Sequence, residues 1–575
     1  MGSLLNRRFA RLVNATRAPR NRLLANLSLA ALLALQPSAA PATTSPSSAA
    51  SAANGFGKSS SKIVGAEARS GGPFQKITTD APTGISEYKL KSNGLTVLLA
   101  ERHASPVVTV MVVYKVGSRN EAVGYTRSTH FLEHMMFKGT AKHDPLKETG
   151  IDDILKQTGA INNATTYYDR TLYYEVAPAS ALSTCLELES DRMQGALLRE
   201  SDRQSEMTVV RNELERNENY PSSILDTQVF ATAFREHPYH HPVIGWRSDV
   251  EGVPIQRLRQ FYKEFYYPSN ATLLVIGDFK SQAALNMVSQ YFGKLPRAPK
   301  PIPPVYTVEP PQEGERRFLV QRGDELPKAM LGYHIPKATD KDTWPLEVLA
   351  SVLGDQTRQS SRLYKRMVDA GLASQTSAYN FSLRDPGLFT LFASATPGTE
   401  LAKIENALKS EIKDLAATPV SAAELERAKT AIWKKLKLDA ADPAGMAQQM
   451  AEAIAVADWK WWLAIEQKVK AVSSQDLQRV AAKYFQDRNC TVGYYLPREK
   501  KQEQATPEKK DEQTLKPVSL LAPLLEEYAA AQPLPTASLS KSVKLARASQ
   551  VAAESPKKTK NPPNLVNAKA SGTTN

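Results

Sequence analysis

The chain has 575 residues, and 42% of them are hydrophobic, which gives enough length and apolar content for several globular domains. The formal net charge of +14 suggests an anionic partner at first sight. However, residues 1–40 contain six arginines and no acids, and residues 498–575 contain thirteen basic and eight acidic residues. The segment between these ends is close to neutral, which argues against nucleic acid as a partner. The two cysteines, Cys185 and Cys490, are too few and too far apart for a disulfide framework.

The first 40 residues have the pattern of a signal peptide. A basic segment over residues 1–22 precedes an apolar run over residues 23–35 and then small residues up to Ala40. This pattern predicts a secreted or periplasmic protein. The acid-free, arginine-rich start leaves a mitochondrial presequence, and hence the matrix, as the alternative. The apolar run is too short to span a bilayer comfortably, so we expect no transmembrane segment after signal removal. Residues 41–84 are predicted to be a flexible linker.

A first folded domain is predicted over residues 85–296, because strand-like and helix-like patterns alternate there. The predicted strands cover residues 96–100, 107–114, 164–176 and 271–278. The predicted helices cover residues 128–137, 151–157, 179–198, 201–217 and 255–267.

The pattern then repeats after a linker. Residues 297–313 contain six prolines and are predicted to be extended. Residues 314–497 repeat the earlier patterns, with strands over 329–335 and 489–495 and helices over 345–353 and 477–485. We therefore predict an α+β fold of two homologous α/β-sandwich halves, produced by an internal duplication and joined by the proline-rich linker. Residues 498–575 are predicted to be a mostly disordered basic tail.

One predicted helix carries the stretch His130-Phe131-Leu132-Glu133-His134. At 3.6 residues per turn, His130 and His134 lie about 40° apart, and Glu133 lies about 60° to the other side of His130. Three titratable groups on one arc of an otherwise apolar helix are costly to bury unless something binds them. Two neutral imidazoles at this spacing suit a zinc ion, and Glu133 could act as general base on a zinc-bound water. The alternative is that both histidines are ordinary core residues.

A third zinc ligand is predicted on the helix over residues 201–217. Its apolar face includes Val210, and Glu213 lies about 60° from Val210 around the axis, whereas Glu215 lies about 140° away. Glu213 therefore borders the buried face and Glu215 points to water. Glu206, two turns before Glu213, suits a role in orienting a ligand histidine or the base. The alternative is a solvated acidic helix. Where the first half has His130 and His134, the repeat offset places Pro345 and Leu349, so only the first half is predicted to hold a metal.

These motifs resemble the pitrilysin-type, or inverzincin, zinc metallopeptidases, a family that includes insulin-degrading enzyme and the mitochondrial processing peptidase. The resemblance covers about residues 85–497 and rests on the spacing His-x-x-Glu-His, on a distal Val-Val-Arg-Asn-Glu, and on further matching stretches. The matching stretches are Asn163-Ala164-Thr165, Asp169-Arg170-Thr171, His237-Pro238-Tyr239 and Ser361-Arg362-Leu363-Tyr364. The length suits the short-chain branch of the family, in which two related proteins pair around an enclosed chamber.

The resemblance implies roles for particular residues. His130, His134 and Glu213 would bind one Zn²⁺ per chain, Glu133 would be the base, and Glu206 would be the supporting carboxylate. The family also binds its peptide substrate as an added strand on a sheet edge, which would lie here near Asn163 and Ala164.

The second half departs from the family's pattern at a substrate-binding pair. The family usually carries an Arg and a Tyr seven residues apart in this half. Arg366 fits the arginine, but the tyrosine position holds Ala373 or Ser374. We therefore expect this chain to be the zinc-bearing subunit of a homo- or heterodimer, whose related partner supplies the Arg and Tyr.

The sequence thus favours a zinc-dependent endopeptidase that cleaves peptides or unfolded segments in an enclosed chamber. Two alternatives stay open: a non-catalytic peptide-binding or scaffold subunit of such a complex, and a mitochondrial processing subunit with the same chemistry. Degenerate members of the family lose one or more site residues, and the presence of His130, Glu133, His134 and Glu213 together argues against the scaffold.

Overall fold

The computed structural model describes residues 72–323, 325–354 and 358–498. The strands are β1 (Phe74–Asp80), β2 (Ile85–Leu90), β3 (Thr96–Glu101), β4 (Val107–Tyr114), β5 (Ile161–Thr166), β6 (Thr171–Pro178), β7 (Ala271–Gly277), β8 (Arg316–Gln321), β9 (Lys328–His334), β10 (Ala373–Asn380), β11 (Leu388–Ala395) and β12 (Cys490–Leu496). The predicted signal peptide, residues 41–71 of the predicted linker and the predicted tail from residue 499 onward lie outside the described residues.

The α-helices fill the long connections between these strands. They are α1 (Ser128–Met135), α2 (Ile151–Thr158), α3 (Leu182–Gly195), α4 (Glu200–Asn217), α5 (Pro221–Ala233), α6 (Arg247–Gly252), α7 (Ile255–Phe265), α8 (Ser281–Phe292), α9 (Thr343–Leu353), α10 (Leu401–Ala417), α11 (Ala422–Asp439), α12 (Pro443–Val456), α13 (Trp459–Ala471) and α14 (Ser474–Tyr484). In the part of the chain that the structure describes, no helix is both long and apolar enough to cross a bilayer.

The strands form two sheets, one in each half of the chain. The first has the order β1-β2-β3-β7-β4-β6-β5, and the second has the order β10-β11-β9-β12-β8. In each sheet one pair is parallel, β3 with β7 and β8 with β12, and the strands beyond it pair antiparallel. This equivalence confirms the predicted α+β fold of two homologous halves.

One helix of each half packs on the sheet of the other half. Along β4, the alternate residues Val110, Val112 and Tyr114 pack against helices of the first half. The intervening Met111 and Val113 belong to a core shared with residues of the second half, and α12 lies across β4 and β7. In return, α5 of the first half packs on β8, β9 and β12 of the second sheet. Both faces of each sheet are therefore covered, which explains why the central strands read as continuous apolar runs.

Two predicted boundaries were wrong. The folded region begins before residue 85, because β1 lies within the segment predicted as linker and pairs antiparallel with β2, which begins at residue 85. Residues 164–176 form two strands rather than one, β5 and β6, joined by a hairpin turn over residues 167–170. The edge strand β1 is exposed and mostly polar, so its sequence resembles that of a linker. Tyr167 and Tyr168 have high strand propensity, so the turn that they form was predicted as part of a strand.

Candidate metal centre

The helix α1 begins in an uncommon backbone conformation that is stabilised by a buried carboxylate. Arg127, the residue before the first turn, has a φ of 73°, in the left-handed region that favours glycine. Glu121 accepts hydrogen bonds from the backbone N–H groups of Arg127 and Thr129, each at 2.7 Å. A carboxylate at a helix N-terminus satisfies amides that lack a partner within the helix. Glu121 thereby fixes the direction in which α1 leaves the preceding loop.

His130 and His134 on α1 and Glu213 on α4 bring three possible ligand atoms together. The Nε2 atoms of the two histidines are 3.4 Å apart, and Glu213 Oε2 lies 3.4 Å from His134 Nε2 and 3.7 Å from His130 Nε2. Ligands about 2.0–2.1 Å from a tetrahedral zinc ion are separated by about 3.3 Å. The triangle therefore has the size that zinc requires, and these three residues could hold a metal ion.

The second ring nitrogen of His134 is held by a carboxylate. His134 Nδ1 lies 2.9 Å from Glu206 Oε1, and Lys138 contacts the other oxygen of Glu206. Burial alone would lower the pKa of His134, but its hydrogen bonds with Glu206 and Glu213 raise it to about 9. A carboxylate on Nδ1 turns Nε2 toward the third ligand, which is the usual arrangement around metal-binding histidines.

His130 differs from His134 in its surroundings. Its Nδ1 is buried without a hydrogen-bond partner among the described residues. Burial, together with the charges of Arg127 and His134, lowers the pKa of His130 well below its ordinary value. His130 is therefore neutral at pH 7, the form in which an imidazole binds a metal.

Glu213 is held by a buried arginine. Arg127 Nη2 donates to Glu213 Oε2 at 3.1 Å, and Arg127 Nη1 donates to the carbonyl of Ile244 at 2.8 Å. Burial opposes ionisation of Glu213, but the hydrogen bond and charge of His134 and the charge of Arg127 lower its pKa below the ordinary value. Glu213 is thus a carboxylate whose ligand oxygen is held by Arg127.

Glu133 faces the same space but makes a different contact. Thr166, at the end of β5, donates from Oγ1 to Glu133 Oε2 at 2.5 Å. Burial raises the pKa of Glu133 above its ordinary value. A buried carboxylate with a raised pKa, beside a possible metal site, suits proton transfer near neutral pH.

A cleft of about 500 Å³ opens over these residues. His130, Glu133, His134, Glu206 and Glu213 line one side of it, and residues 162–166 of β5 line another. The strand β5 is the edge of its sheet, because it pairs with β6 on one side and with no described strand on the other. The Ala164 N–H is directed away from β6, because the bond from the Tyr167 N–H to the Arg170 carbonyl sets which residues of the ladder exchange hydrogen bonds, and it donates to Asn163 Oδ1 at 2.9 Å.

The fold brings most of the predicted site residues to this cleft. His130, Glu133, His134, Glu206, Glu213, Asn163 and Ala164 all line it. Arg366 does not, because it lies in the second half and pairs there with Glu411 at 2.6 Å and with Asp414. Sequence reasoning missed Thr166, Arg127 and Lys138. Of these three, only Lys138 could have been found from its spacing, because it follows His134 by four residues, the distance at which side chains of a helix are neighbours.

Comparison with known families matches both halves of the chain. Residues 96–246 match the family model described as "Insulinase (Peptidase family M16)", and residues 252–432 match the one described as "Peptidase M16 inactive domain". The first match contains His130, Glu133, His134, Glu206 and Glu213, and the second covers the proline-rich linker and much of the second half.

Individual relatives agree with this assignment. The chain is 31% identical over 410 residues to "Zinc protease PqqE" of Helicobacter pylori, covering 70% of this chain and 91% of that protein. It is 24% identical over 451 residues to "Mitochondrial-processing peptidase subunit beta" of Lentinula edodes, covering 76% of this chain and 95% of that protein. A crystal structure of a protease from Helicobacter pylori superposes with a TM-score of 0.68 at 29% identity, covering 74% of this chain and 99% of that one. The chain therefore belongs to the M16 peptidase family, as its His-x-x-Glu-His and distal glutamate motifs predicted.

Proposed function

We propose that this chain is a zinc-dependent endopeptidase, with His130, His134 and Glu213 as zinc ligands and Glu133 as general base. The observation that carries the proposal is the triangle of ligand atoms, whose sides of 3.4–3.7 Å fit a tetrahedral zinc ion without rearrangement. The name of the Helicobacter pylori relative, a zinc protease, supports the choice of metal. We infer one Zn²⁺ per chain, because the described residues of the second half contain no comparable cluster.

A bound zinc ion supplies a Lewis acid for the substrate carbonyl and makes water acidic enough to attack at neutral pH. Glu133 takes the proton from the attacking water and returns it to the leaving amine. Thr166 fixes Glu133 Oε2, which limits the carboxylate to orientations that face the cleft. Glu206 holds the tautomer of His134, and Arg127 holds the ligand oxygen of Glu213.

The substrate class follows from the sheet edge beside these residues. The open edge of β5, with the Ala164 N–H directed outward, can pair with an extended peptide by backbone hydrogen bonds. Asn163 and Ala164 would then contact the substrate in the cleft that Glu133 also lines. Backbone pairing of this kind selects extended or unfolded segments rather than a particular side chain.

The partner of this chain is proposed to be a related subunit. Arg366, the one candidate for the family's substrate-binding Arg and Tyr pair, is neutralised by Glu411 and Asp414 within its own half. A heterodimer, whose related partner supplies both groups, would complete the site, whereas a homodimer would bring only a second Arg366 and no tyrosine. A relative named as a subunit of the mitochondrial processing peptidase is consistent with such pairing.

The proposed location is the periplasm or the extracellular space, on the basis of the basic and apolar pattern in residues 1–40. The mitochondrial matrix is the alternative, since several relatives are mitochondrial-processing peptidase subunits. N-terminal sequencing of the mature protein separates the two.

A peptide-binding scaffold subunit is the alternative function. The match of the second half to a domain described as inactive is compatible with it. The complete set of ligands and base in the first half favours the peptidase.

The test is zinc stoichiometry combined with peptide hydrolysis. We expect one zinc per wild-type chain and none in His130→Ala, and we expect hydrolysis of a peptide library to stop on chelation and return on adding zinc. Activity of the purified chain should depend on its related subunit. Unchanged metal content in His130→Ala, or hydrolysis that resists chelation, would refute the proposal.

A further inference from the structure

The hairpin turn over residues 167–170 reaches from the first half into the second. Arg170 donates from Nη2 and Nε to Glu452 Oε1, at 2.5 and 3.2 Å. Glu452 lies on α12, the helix that the second half lends to the first sheet. The side chains of Arg170 and Glu452 are 3% and 12% exposed, so the ion pair is largely shielded from solvent.

The same guanidinium also holds the edge strand. Arg170 Nη1 donates to the Thr165 carbonyl at 3.0 Å and to Thr165 Oγ1 at 2.6 Å. The next residue, Thr166, donates to Glu133. A short chain of hydrogen bonds therefore runs from Glu452 through Arg170 and Thr165 to the strand that contacts the proposed base.

A second contact fixes the same turn. Asp169 accepts hydrogen bonds from the Arg384 N–H at 3.0 Å and from the Tyr239 hydroxyl at 2.9 Å. The guanidinium of Arg384, in turn, donates to the carbonyl of Ala455 on α12. The turn is thus attached to the second half at two successive residues.

We propose that Glu452, in the second half, is a positioning residue for the edge strand β5 and, through Thr166, for Glu133. The inference rests on the proposed function, because it assigns a catalytic consequence to a contact between the halves.

The planar guanidinium of Arg170 helps to fix the position of the edge strand β5. Since β5 pairs with a single described strand, its position depends on contacts beyond the ladder. The fixed geometry of a guanidinium lets Arg170 bind a carboxylate and a backbone carbonyl at the same time, which a lysine ammonium on a flexible stem does less well. Glu452 balances the buried charge of Arg170 and so keeps the fork in place. A displacement of reacting groups by about 1 Å can lower a rate by about a hundredfold, so modest movement of β5 would be felt.

The test compares Glu452→Ala with wild type in the full-length chain, together with its related subunit where activity needs it. Three quantities are measured: amide hydrogen exchange over residues 161–166, zinc content, and kcat and KM on a peptide substrate. We expect faster exchange in β5, unchanged zinc content and a kcat lowered about tenfold or more. Glu452→Gln keeps an acceptor for Arg170 but not the charge, so its protection in β5 and its kcat should lie between those of Glu452→Ala and wild type.

Glu87→Ala is the matched control. Glu87 on β2 accepts a hydrogen bond from Trp459 Nε1 at 3.0 Å, so this variant also breaks a contact between the halves, but near the opposite edge of the sheet. Its exchange in β5 and its kcat should equal those of wild type. Arg170→Lys is a second test, because it keeps a cation beside Glu452 but loses the guanidinium hydrogen bonds to Thr165. It should behave like Glu452→Ala.

Two results would overturn the inference. One is Glu452→Ala with β5 exchange and kcat equal to those of Glu87→Ala. The other is Arg170→Lys with unchanged protection in β5. If the wild-type chain shows no chelator-sensitive hydrolysis, the proposed function fails instead, and the exchange measurements still decide whether Glu452 fixes the strand.

Discussion

The strands β3, β7, β4, β6 and β5 of the first half and β8, β12, β9, β11 and β10 of the second have the same order and the same relative directions. Their registers also correspond. Asn270 and Asn489 each donate to a carbonyl five residues earlier, at the end of the preceding helix. The residues that follow these asparagines pair with Tyr114 and Tyr333, which are therefore equivalent.

The cross-strand pairs extend this equivalence from Tyr114 and Tyr333 to residues beside the candidate metal site. Tyr114 connects through Thr171 to Thr166, and Tyr333 connects through Phe389 to Asn380. Thr166 donates to Glu133, and Asn380 Nδ2 donates to Glu347 Oε2 at 3.0 Å. Each half therefore keeps a buried glutamate on the same helix, bonded to a polar residue at the end of the same strand.

The halves differ in what surrounds that glutamate. If Glu347 corresponds to Glu133, the positions of the two histidines hold Trp344 and Val348. This shifts the sequence-based offset, which selected Pro345 and Leu349, by one residue, because Glu133 lies six residues before Gly139 whereas Glu347 lies seven residues before Gly354. The comparison teaches that the duplicated scaffold alone does not produce the proposed chemistry. Histidines in two adjacent turns and a carboxylate from a further helix are also required.

The sharpest test of this comparison is the same substitution in both halves. We expect Glu133→Gln to keep its zinc and to lower kcat by about 10³-fold, because it removes the general base. Glu347→Gln should leave kcat and zinc content unchanged. Peptide hydrolysis and metal analysis of both variants check this. Substantial turnover by Glu133→Gln would remove Glu133 from the mechanism.

The second prediction concerns the pair of Arg127 and Glu213 in the first half. Glu213→Ala should abolish zinc binding and leave Arg127, which is 1% exposed, without its carboxylate. Loss of one partner of a buried pair costs about 3–5 kcal/mol, so the free energy of unfolding should fall by that order even in chelator. Adding Arg127→Met to this variant should recover much of the loss. Denaturant unfolding in chelator measures both, and equal stability of wild type and Glu213→Ala would contradict the pairing.

The third prediction is a pH dependence of zinc affinity. In the metal-free site the pKa of His134 is about 9, so below that pH a proton must leave before zinc binds. The apparent affinity should therefore rise about tenfold per pH unit from pH 7 toward pH 9. His130, whose pKa is lowered by burial, adds nothing to this slope. Chelator competition at several pH values measures it, and Glu206→Gln, which removes a cause of the raised pKa, should flatten it.

The sequence predicted what depends on local periodicity. His130, Glu133 and His134 share one arc of a helix, and Glu213 borders the apolar face of another, as helix geometry predicted, whereas the packing of α1 against α4 brings the two sets together. The hairpin turn after Thr166 was missed, because aromatic residues continue the strand pattern through it.

The exchange of α5 and α12 between the halves was also missed, since both are ordinary amphipathic or apolar helices whose partner sheet is set only by tertiary packing. The contacts of Arg127 with Glu213 and of Arg170 with Glu452 join residues far apart in the chain. No spacing rule reveals such pairs.

The smallest expected effect concerns Glu347, a buried glutamate of the second half. Burial raises the pKa of Glu347 to about 7 from an ordinary value of 4.5, although Asn380 donates to it. Its ionisation therefore opposes folding. The fold is favoured by the neutral carboxyl below about pH 4.5, and this advantage is lost as the pH rises through 7.

Glu347→Gln stays neutral and can still accept from Asn380. It should match wild type near pH 4.5 and exceed it by about 1–3 kcal/mol at pH 8, measured by denaturant unfolding. Glu405→Gln in the same half should show the opposite sign. Burial opposes ionisation of Glu405, but its hydrogen bonds with Arg317 and Tyr494 lower its pKa to about 2. Its charge therefore stabilises the fold at neutral pH. A pH-independent effect of Glu347→Gln would mean that Glu347 is not held as a neutral acid, and the parallel with Glu133 would then be limited to position.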